Sequence, residues 1–277
     1  MITVQDLTYT YPGATGPALS RLSLTVPAGQ VCAVIGANGA GKSTLCHALT
    51  GFIPHFFRGT LEGELRVAGL SIPDTQLAEL AGTIGLVFQN PFNQITGARF
   101  SVLEEVAFGL ENLGIAREEI LDRCRSALEL TGLQDLTDRS PYDLSGGQMQ
   151  RLAIASMLAM RPRVLVLDEP TAQLDSAGTE AVFLHLRQLA STGQTTVLLV
   201  EHKLEWIAAF ADRVLVLSEG SLAADGPPRQ VLGSADLERA GLRPSRYTLA
   251  ARRAQELGLA SAAPLPVTLE QAVEFLG

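Results

Sequence analysis

Residues 36–44 read Gly36-Ala37-Asn38-Gly39-Ala40-Gly41-Lys42-Ser43-Thr44, a G-x-x-x-x-G-K-[ST] pattern, and their setting decides the fold. The stretch follows a compact apolar run, Val31 to Ile35, and leads into a segment of helical character, Ser43 to Thr50. Strand, glycine-rich loop and helix in that order build a phosphate site. The glycines let successive backbone N–H groups curl around phosphate oxygens, and the helix N-terminus adds its positive dipole end. Lys42 is placed to reach the β- and γ-phosphates of a nucleotide, and the Ser43 hydroxyl to ligate Mg²⁺. A glycine turn ahead of a helix can be purely structural, but the flanking strand and helix favour the phosphate reading.

Working outward, Ile84–Phe88, Val164–Leu167, Thr195–Val200 and Val214–Leu217 are short apolar runs separated by helical stretches. They predict an α/β P-loop core with a mostly parallel sheet. The first 30 residues alternate apolar and polar positions (Ile2, Val4, Leu7, then Leu22, Leu24, Val26) between Pro- and Gly-containing turns, which predicts an N-terminal antiparallel β subdomain. Between Gln89 and Arg161 the period becomes helical. Ser101 and Glu104 form a capping box ahead of Val102, Val106, Leu110 and Leu113, and a second helix is expected over Arg117–Leu130 with Ile120, Cys124 and Leu128 on one face. This is a helical insertion of about residues 90–161 in a domain spanning 1–232. Residues 233–277 are rich in Ala, Leu and Arg, with Thr268 and Gln271 capping a terminal helix that carries Leu269, Val273 and Leu276. That tail is too short to fold as a separate domain.

Two more stretches carry chemistry. The apolar run Val164 to Leu167 ends in Asp168 and Glu169. Adjacent carboxylates at a strand end can divide their roles, Asp168 toward a metal-bound water and Glu169 toward an attacking water, although polar strand ends are often merely solvated. Leu144-Ser145-Gly146-Gly147-Gln148 precedes a helix expected from about Met149 to Met160, with Ser145 and Gln148 at capping-box spacing. The glycine pair costs helix stability yet strips side chains from a row of N–H donors, so this end can receive an anion.

Composition narrows the function further. The 277 residues are 47% hydrophobic and carry a net charge of -8, so no broad positive field attracts nucleic acid. Only two lysines occur, Lys42 and Lys203, which gives the setting of each its interest. Cys32, Cys46 and Cys124 form no C-x-x-C pair, which argues against a disulfide framework or thiolate zinc site and suits a reducing compartment. Met1 to Asp6 lacks the pattern of a signal peptide, and no uncharged apolar stretch reaches the roughly 20 residues that span a bilayer. Any action at a membrane is therefore expected to be peripheral, on its cytoplasmic face.

The P-loop, Leu144–Gln148 and the Asp168-Glu169 strand together resemble the ATP-binding subunit of an ATP-binding cassette (ABC) transporter, with the motifs in family order over residues 1 to about 232. The resemblance implies ATP and Mg²⁺ as ligands and assigns further positions. Tyr11 lies where an aromatic residue stacks on adenine. Gln89 lies where a glutamine links Mg²⁺ to the helical insertion, joining Ser43 and Asp168 as metal-site residues. Asp175 lies at the dimer seam, and His202 matches a histidine that contacts the γ-phosphate. Glu169, His202, Gln89 and Lys42 become the catalytic group. Residues Gly36 to Thr44 and, from a second subunit, Ser145, Gly146, Gly147 and Gln148 become the nucleotide-binding group. Gln173 and Glu201 depart from the commoner family residues, serine-alanine preceding Leu174 and threonine before His202, without removing a catalytic atom.

Val87 to Gln94, Glu104 to Asn112, Ile53-Pro54-His55, and Glu169 to Asp175 are similar to the ATPases of energy-coupling factor (ECF) vitamin and metal importers, as is the tail around Gly241–Pro244 and Leu265–Thr268. This implies integral-membrane partners, a transmembrane coupling protein and a substrate-binding component, received near Pro91–Phe100. It also implies a second ATPase subunit, alike or different, held in part by the tail as a dimerisation element. A soluble ABC ATPase, such as an iron-sulfur cluster assembly factor, is the rival, and the Gln89–Asn112 stretch argues against it.

Overall fold

The alternation of the first residues becomes strand β1 (Ile2–Thr10), which pairs antiparallel with β2 (Leu19–Val26). Ile2, Val4, Leu7 and Tyr9 of β1 point into the core and are buried. The computed structural model describes residues 1–260 and 264–276. β3 (Val31–Gly36) is buried along its whole length and runs into the P-loop and α1 (Lys42–Leu49), followed by the short α2 (Phe52–His55). Next come β4 (Thr60–Val67), β5 (Leu70–Ser71), α3 (Leu77–Ala81) and β6 (Ile84–Val87). The antiparallel sheet has the order β2-β1-β4-β5. β4 and β5 are not evident in the sequence. In β4 only Leu65 and Val67 are buried, and Gly63, at φ +93°, interrupts the alternation.

Residues 90–161 carry three α-helices, α4 (Val102–Asn112), α5 (Arg117–Leu130) and α6 (Gly146–Met160). The expected faces are buried, with Val102, Val106 and Leu110 meeting Ile120, Cys124 and Leu128. Leu113 instead ends α4 at its C-cap and stays about one-third exposed, at 36%. α6 starts three residues before the expected Met149, because Ser145 is the N-cap itself and its hydroxyl accepts from Gln148 N. The chain then forms β7 (Val164–Asp168), α7 (Ser176–Ser191), β8 (Thr196–Val200), α8 (Leu204–Phe210), β9 (Arg213–Ser218) and β10 (Ser221–Gly226). The central sheet has the order β10-β9-β3-β8-β7-β6 and is parallel except for β10, a half-exposed strand the sequence also conceals.

After α9 (Pro228–Leu232), the described residues of the tail form α10 (Ala235–Arg239), α11 (Arg246–Glu256) and α12 (Leu269–Leu276). Among the described residues, the tail's Leu237 and Val267 join the core of the central layer. Val231, Leu232, Leu237 and Val267 pack with Ala33, Ile35, Ile207, Val214 and Val216 of the central layer. Each buried Val, Leu or Ile among them contributes about 1.5–3 kcal/mol of apolar transfer. Thr268 caps α12 through Gln271 N as expected, and Leu269, Val273 and Leu276 are all more than half exposed along it.

Candidate nucleotide site

Parallel strands bring their C-terminal ends to one edge, and the register shows which residues meet there. Val34 and Asp168 both pair with Val200, and Leu167 pairs with Val87. The loops after β3, β6, β7 and β8 therefore converge, carrying the P-loop, Gln89, Glu169 and His202 to one crevice.

Within the P-loop, close approach of neighbouring backbone demands glycine at two positions. A Cβ on Gly36 would lie 2.4 Å from the Leu217 carbonyl oxygen, and Gly41, at φ +100°, would place one 2.7 Å from Ala18 O. Lys42 is 7% exposed, and its ammonium donates to Gly36 O at 2.9 Å and Ala37 O at 3.0 Å. An ammonium has three donors, so this lysine retains one for an incoming oxygen. The Tyr11 hydroxyl lies 3.3 Å from Thr44 Oγ1, which sets that ring beside the start of α1. Ser43 meets Asp168, whose buried side chain leaves Oδ1 without a hydrogen-bond partner. Burial raises the Asp168 pKa, and the Ser43 hydrogen bond opposes that shift. An unpaired, desolvated carboxylate oxygen beside a hydroxyl is the donor set a hard divalent cation takes. Among the described residues no cluster of three or more His, Cys, Asp and Glu side chains could hold a metal. The residues thus fit Mg²⁺ bound jointly with nucleotide phosphates.

Glu169 sits at φ +50°, a left-handed conformation uncommon for a non-glycine residue. Its backbone N–H still donates to Val200 O at 3.0 Å, so the turn is anchored while the side chain is redirected from the sheet. Gln89 Nε2 donates to Glu169 Oε2 at 2.7 Å, and His202 Nε2 lies 2.8 Å from Glu169 Oε1. An ionised carboxylate can only accept, so toward an ionised Glu169 the Nε2 of His202 is the donor. Four of the predicted residues, Gln89, Asp168, Glu169 and His202, are thereby brought together beside the P-loop.

Ser145, Gly146, Gly147 and Gln148 lie elsewhere, at the N-terminus of α6. Ser145 N donates to Gln148 Oε1 at 2.9 Å and the Ser145 hydroxyl accepts from Gln148 N, the reciprocal cap expected from the spacing. A Cβ on Gly146 would meet Gln173 Oε1 at 2.6 Å, so the residue that departs from the family pattern roofs this glycine. A cavity of about 650 Å³ between α6 and α7 is lined by Ser145, Gly147, Gln148, Arg151, Gln173 and Asp175, among others, but by neither Lys42 nor Glu169. Asp175 is the N-cap of α7, accepting from Gly178 N at 2.8 Å.

Two features were not singled out from the sequence. Gln94 accepts from Phe88 N at 3.3 Å and donates to Ala153 O at 2.8 Å, so it ties the residue before Gln89 to α6. Glu105 is buried and accepts from both Thr96 N and Thr96 Oγ1 at 2.8 Å, which fixes the loop after Gln89 to α4. The signal available was a polar residue within an apolar helical period. The surface beyond Gln89 divides in two: Phe92 and Phe100 are 59% and 88% exposed, whereas Ile95 packs into the helical cluster. Ile95 is half-buried, resting against the helical cluster at the edge of the Pro91–Phe100 surface.

Comparison with known proteins gives this geometry a family. Residues 19–172, over half the chain, match the family model described as ABC transporter. An ABC transporter ATP-binding protein of Pyrococcus abyssi is 44% identical over 251 residues, covering 90% of this chain and 89% of that protein. The chain belongs to the ABC transporter family. The energy-coupling factor transporter ATP-binding protein EcfA1 of Bacillus subtilis is 42% identical, with 87% of the ABC chain and 84% of EcfA1 covered. Other relatives are longer, and the chain spans 41–47% of their length. Among solved structures, cbiO1 of Clostridium perfringens, part of the cbiONQ ABC transporter complex, has a TM-score of 0.75 and 32% identity, covering 93% of this chain and 98% of that one. An ATP-binding cassette solved as a dimer in a post-hydrolysis state with ADP and Pi has a TM-score of 0.73 and 29% identity, over 82% and 99% of the two chains. The fold is that of an ABC ATPase, and the chain is an ATPase of that family.

Proposed function

We propose that this ATPase is the energy-supplying subunit of an ECF-type importer, acting in a dimer and coupling ATP binding and hydrolysis to uptake of a vitamin or metal-ion micronutrient through integral-membrane partners. The observation that carries the reading is the exposed aromatic surface one loop away from the hydrolytic pair. Phe92 and Phe100 flank a loop whose Gly97 lies against the hydroxyl of Tyr142, itself 60% exposed. That loop begins at Gln89, which is bonded to Glu169. Among the described residues no helix is long and apolar enough to cross a membrane, so a spanning partner would meet the ATPase at such a surface. The likeness to EcfA1 and cbiO1 supports the same branch.

In this reading the P-loop N–H groups and Lys42 hold the β- and γ-phosphates, while Tyr11 stacks on the adenine. Mg²⁺, held by Ser43, Asp168 and Gln89 together with the phosphates, would offset their charge. Glu169 accepts the proton of the attacking water, with Gln89 and His202 aligning its two oxygens. Ser145 and the bare N–H groups of Gly146 and Gly147 close over the γ-phosphate held by a partner subunit. The tail, with Leu269, Val273 and Leu276 exposed on α12, helps hold the pair together. ATP favours the closed dimer and hydrolysis releases it, so differential affinity for the two states supplies the work.

Co-purification from membranes tests the docking surface. Phe92→Glu and Phe100→Glu should release the ATPase from the membrane fraction and leave ATP affinity unchanged. If both variants stay membrane-bound at the unmodified level, the partner docks elsewhere.

A further inference from the structure

Lys203 shares its rarity with Lys42 but lies outside the phosphate loop. Its ammonium donates to the carbonyl oxygen of Thr171 at 3.0 Å and to Thr179 Oγ1 at 2.8 Å. Glu201, two residues earlier, is 3% exposed. One of its oxygens accepts the Thr171 hydroxyl. The other accepts His202 N–H at 2.6 Å and Lys203 N–H at 3.4 Å. Thr171 itself is fully buried and lies two residues beyond Glu169.

The segments 169–171 and 201–203 are therefore laced at two levels. Near the surface, His202 meets Glu169. Beneath it, Glu201 and Lys203 hold Thr171 by its hydroxyl and its carbonyl. A buried carboxylate is costly unless its lone pairs are filled, and here both oxygens are engaged. Charge-assisted bonds are shorter and more directional than neutral ones, so they fix the backbone at His202 more narrowly than a neutral side chain would. The segment held at Thr171 continues through Gln173, which roofs Gly146, to Asp175 at the N-cap of α7. α8, which begins at Leu204, is joined to α7 by Trp206 stacking on Phe183 at 5.8 Å between ring centroids.

We propose that Glu201 and Lys203 are positioning residues that clasp Thr171 and thereby hold His202 against Glu169, an inference that rests on the reading of Glu169 and His202 as the hydrolytic pair. The clasp acts through His202, to whose backbone N–H Glu201 is bonded. It also links the placement of His202 to the loop that runs toward α6 and α7.

The test measures kcat, KM and Mg-ATP affinity of the full chain carrying Thr171→Val, Thr171→Ser or Glu201→Gln, alone and in a His202→Ala background. Thr171→Val keeps the shape and removes the hydroxyl, so it decides the matter should Glu201→Gln fold poorly. Thr171→Val and Glu201→Gln are each expected to lower kcat by about tenfold or more, as misplacement of a reacting group does, with Mg-ATP affinity held. Thr171→Ser should restore turnover. In the His202→Ala background Glu201→Gln should cost less than about twofold more, because the path it acts through is gone. Unchanged kcat in both single variants, or costs that multiply with His202→Ala, would overturn the clasp and leave the hydrolytic pair standing. Full turnover in His202→Ala itself would overturn the reading of the pair, and the clasp with it.

Discussion

Replacing Asp168 by asparagine should make the nucleotide-free protein more stable while weakening its grip on Mg-ATP. Asp168 is 7% exposed, its Oδ1 has no hydrogen-bond partner, and burial raises its pKa. A raised pKa in an acid means that the native state binds the proton more tightly than the unfolded chain does. The ionised form that prevails at neutral pH therefore costs stability, and the cost sets in as pH rises from the unfolded value through the folded one. Asparagine removes the charge at nearly constant shape and can still accept from Ser43. The amide remains unpartnered at the Oδ1 position, so the gain is that of removing the charge alone, about 1–2 kcal/mol of the larger penalty on a charged unsatisfied group. At about 2–4 °C per kcal/mol for a chain of this size, the melting midpoint should rise by roughly 2–8 °C. Mg-ATP reverses the comparison, because a ligand at a hundredfold its Kd stabilises by about 2.7 kcal/mol and the variant forfeits most of that. Thermal melts with and without Mg-ATP, at fixed protein concentration, read both effects. A lower midpoint than wild type without nucleotide would refute the electrostatic argument. An undiminished Mg-ATP shift would refute the metal role.

Other outcomes follow from the same geometry. Glu169→Gln should retain Mg-ATP binding and lose turnover by about 10² to 10⁴, the range for a positioned base, whereas Lys42→Ala should lose nucleotide affinity itself; equilibrium binding beside steady-state rates separates them. Gly36→Ala should abolish nucleotide binding, because the new Cβ would stand 2.4 Å from the Leu217 carbonyl oxygen and force the loop apart; titration with a fluorescent ATP analogue checks it. The three thiols should resist alkylation in the native protein, since all are buried and burial lifts Cys32 to about 12 and Cys124 to about 11. Thiol counting before and after unfolding would show it.

The parallel core and the helical insertion are legible in the sequence because their elements are strongly periodic or continuously apolar. β3, β7 and β8 are buried at every residue, and α4 and α5 keep one apolar face. β4 and β10 are hidden because half of each strand faces solvent, which leaves a pattern that also fits a loop. In the site, the motifs reveal which residues carry chemistry but not how they are held. Nothing in the order Glu201-His202-Lys203 shows that the outer two turn inward to Thr171 while the middle one turns to Glu169. That division follows from the parallel register of β7 and β8, which sets the two loops side by side. The sequence conceals the first turn of α6, because glycine argues against helix and only the cap at Ser145 outweighs it.

The central claim is that each ATP site is completed by a second subunit, with Ser145 of one chain closing on the γ-phosphate held by Lys42 of the other. Crossing two inactive variants tests it most directly. Lys42→Ala and Ser145→Arg homodimers should each fail to hydrolyse ATP, since every site in them is damaged. In a mixed dimer one site keeps an intact Lys42 opposite an intact Ser145, and both lesions fall in the other. Single-turnover hydrolysis should then reappear at one site per mixed dimer; mixed dimers shown to form, and to hydrolyse nothing, would contradict the shared site.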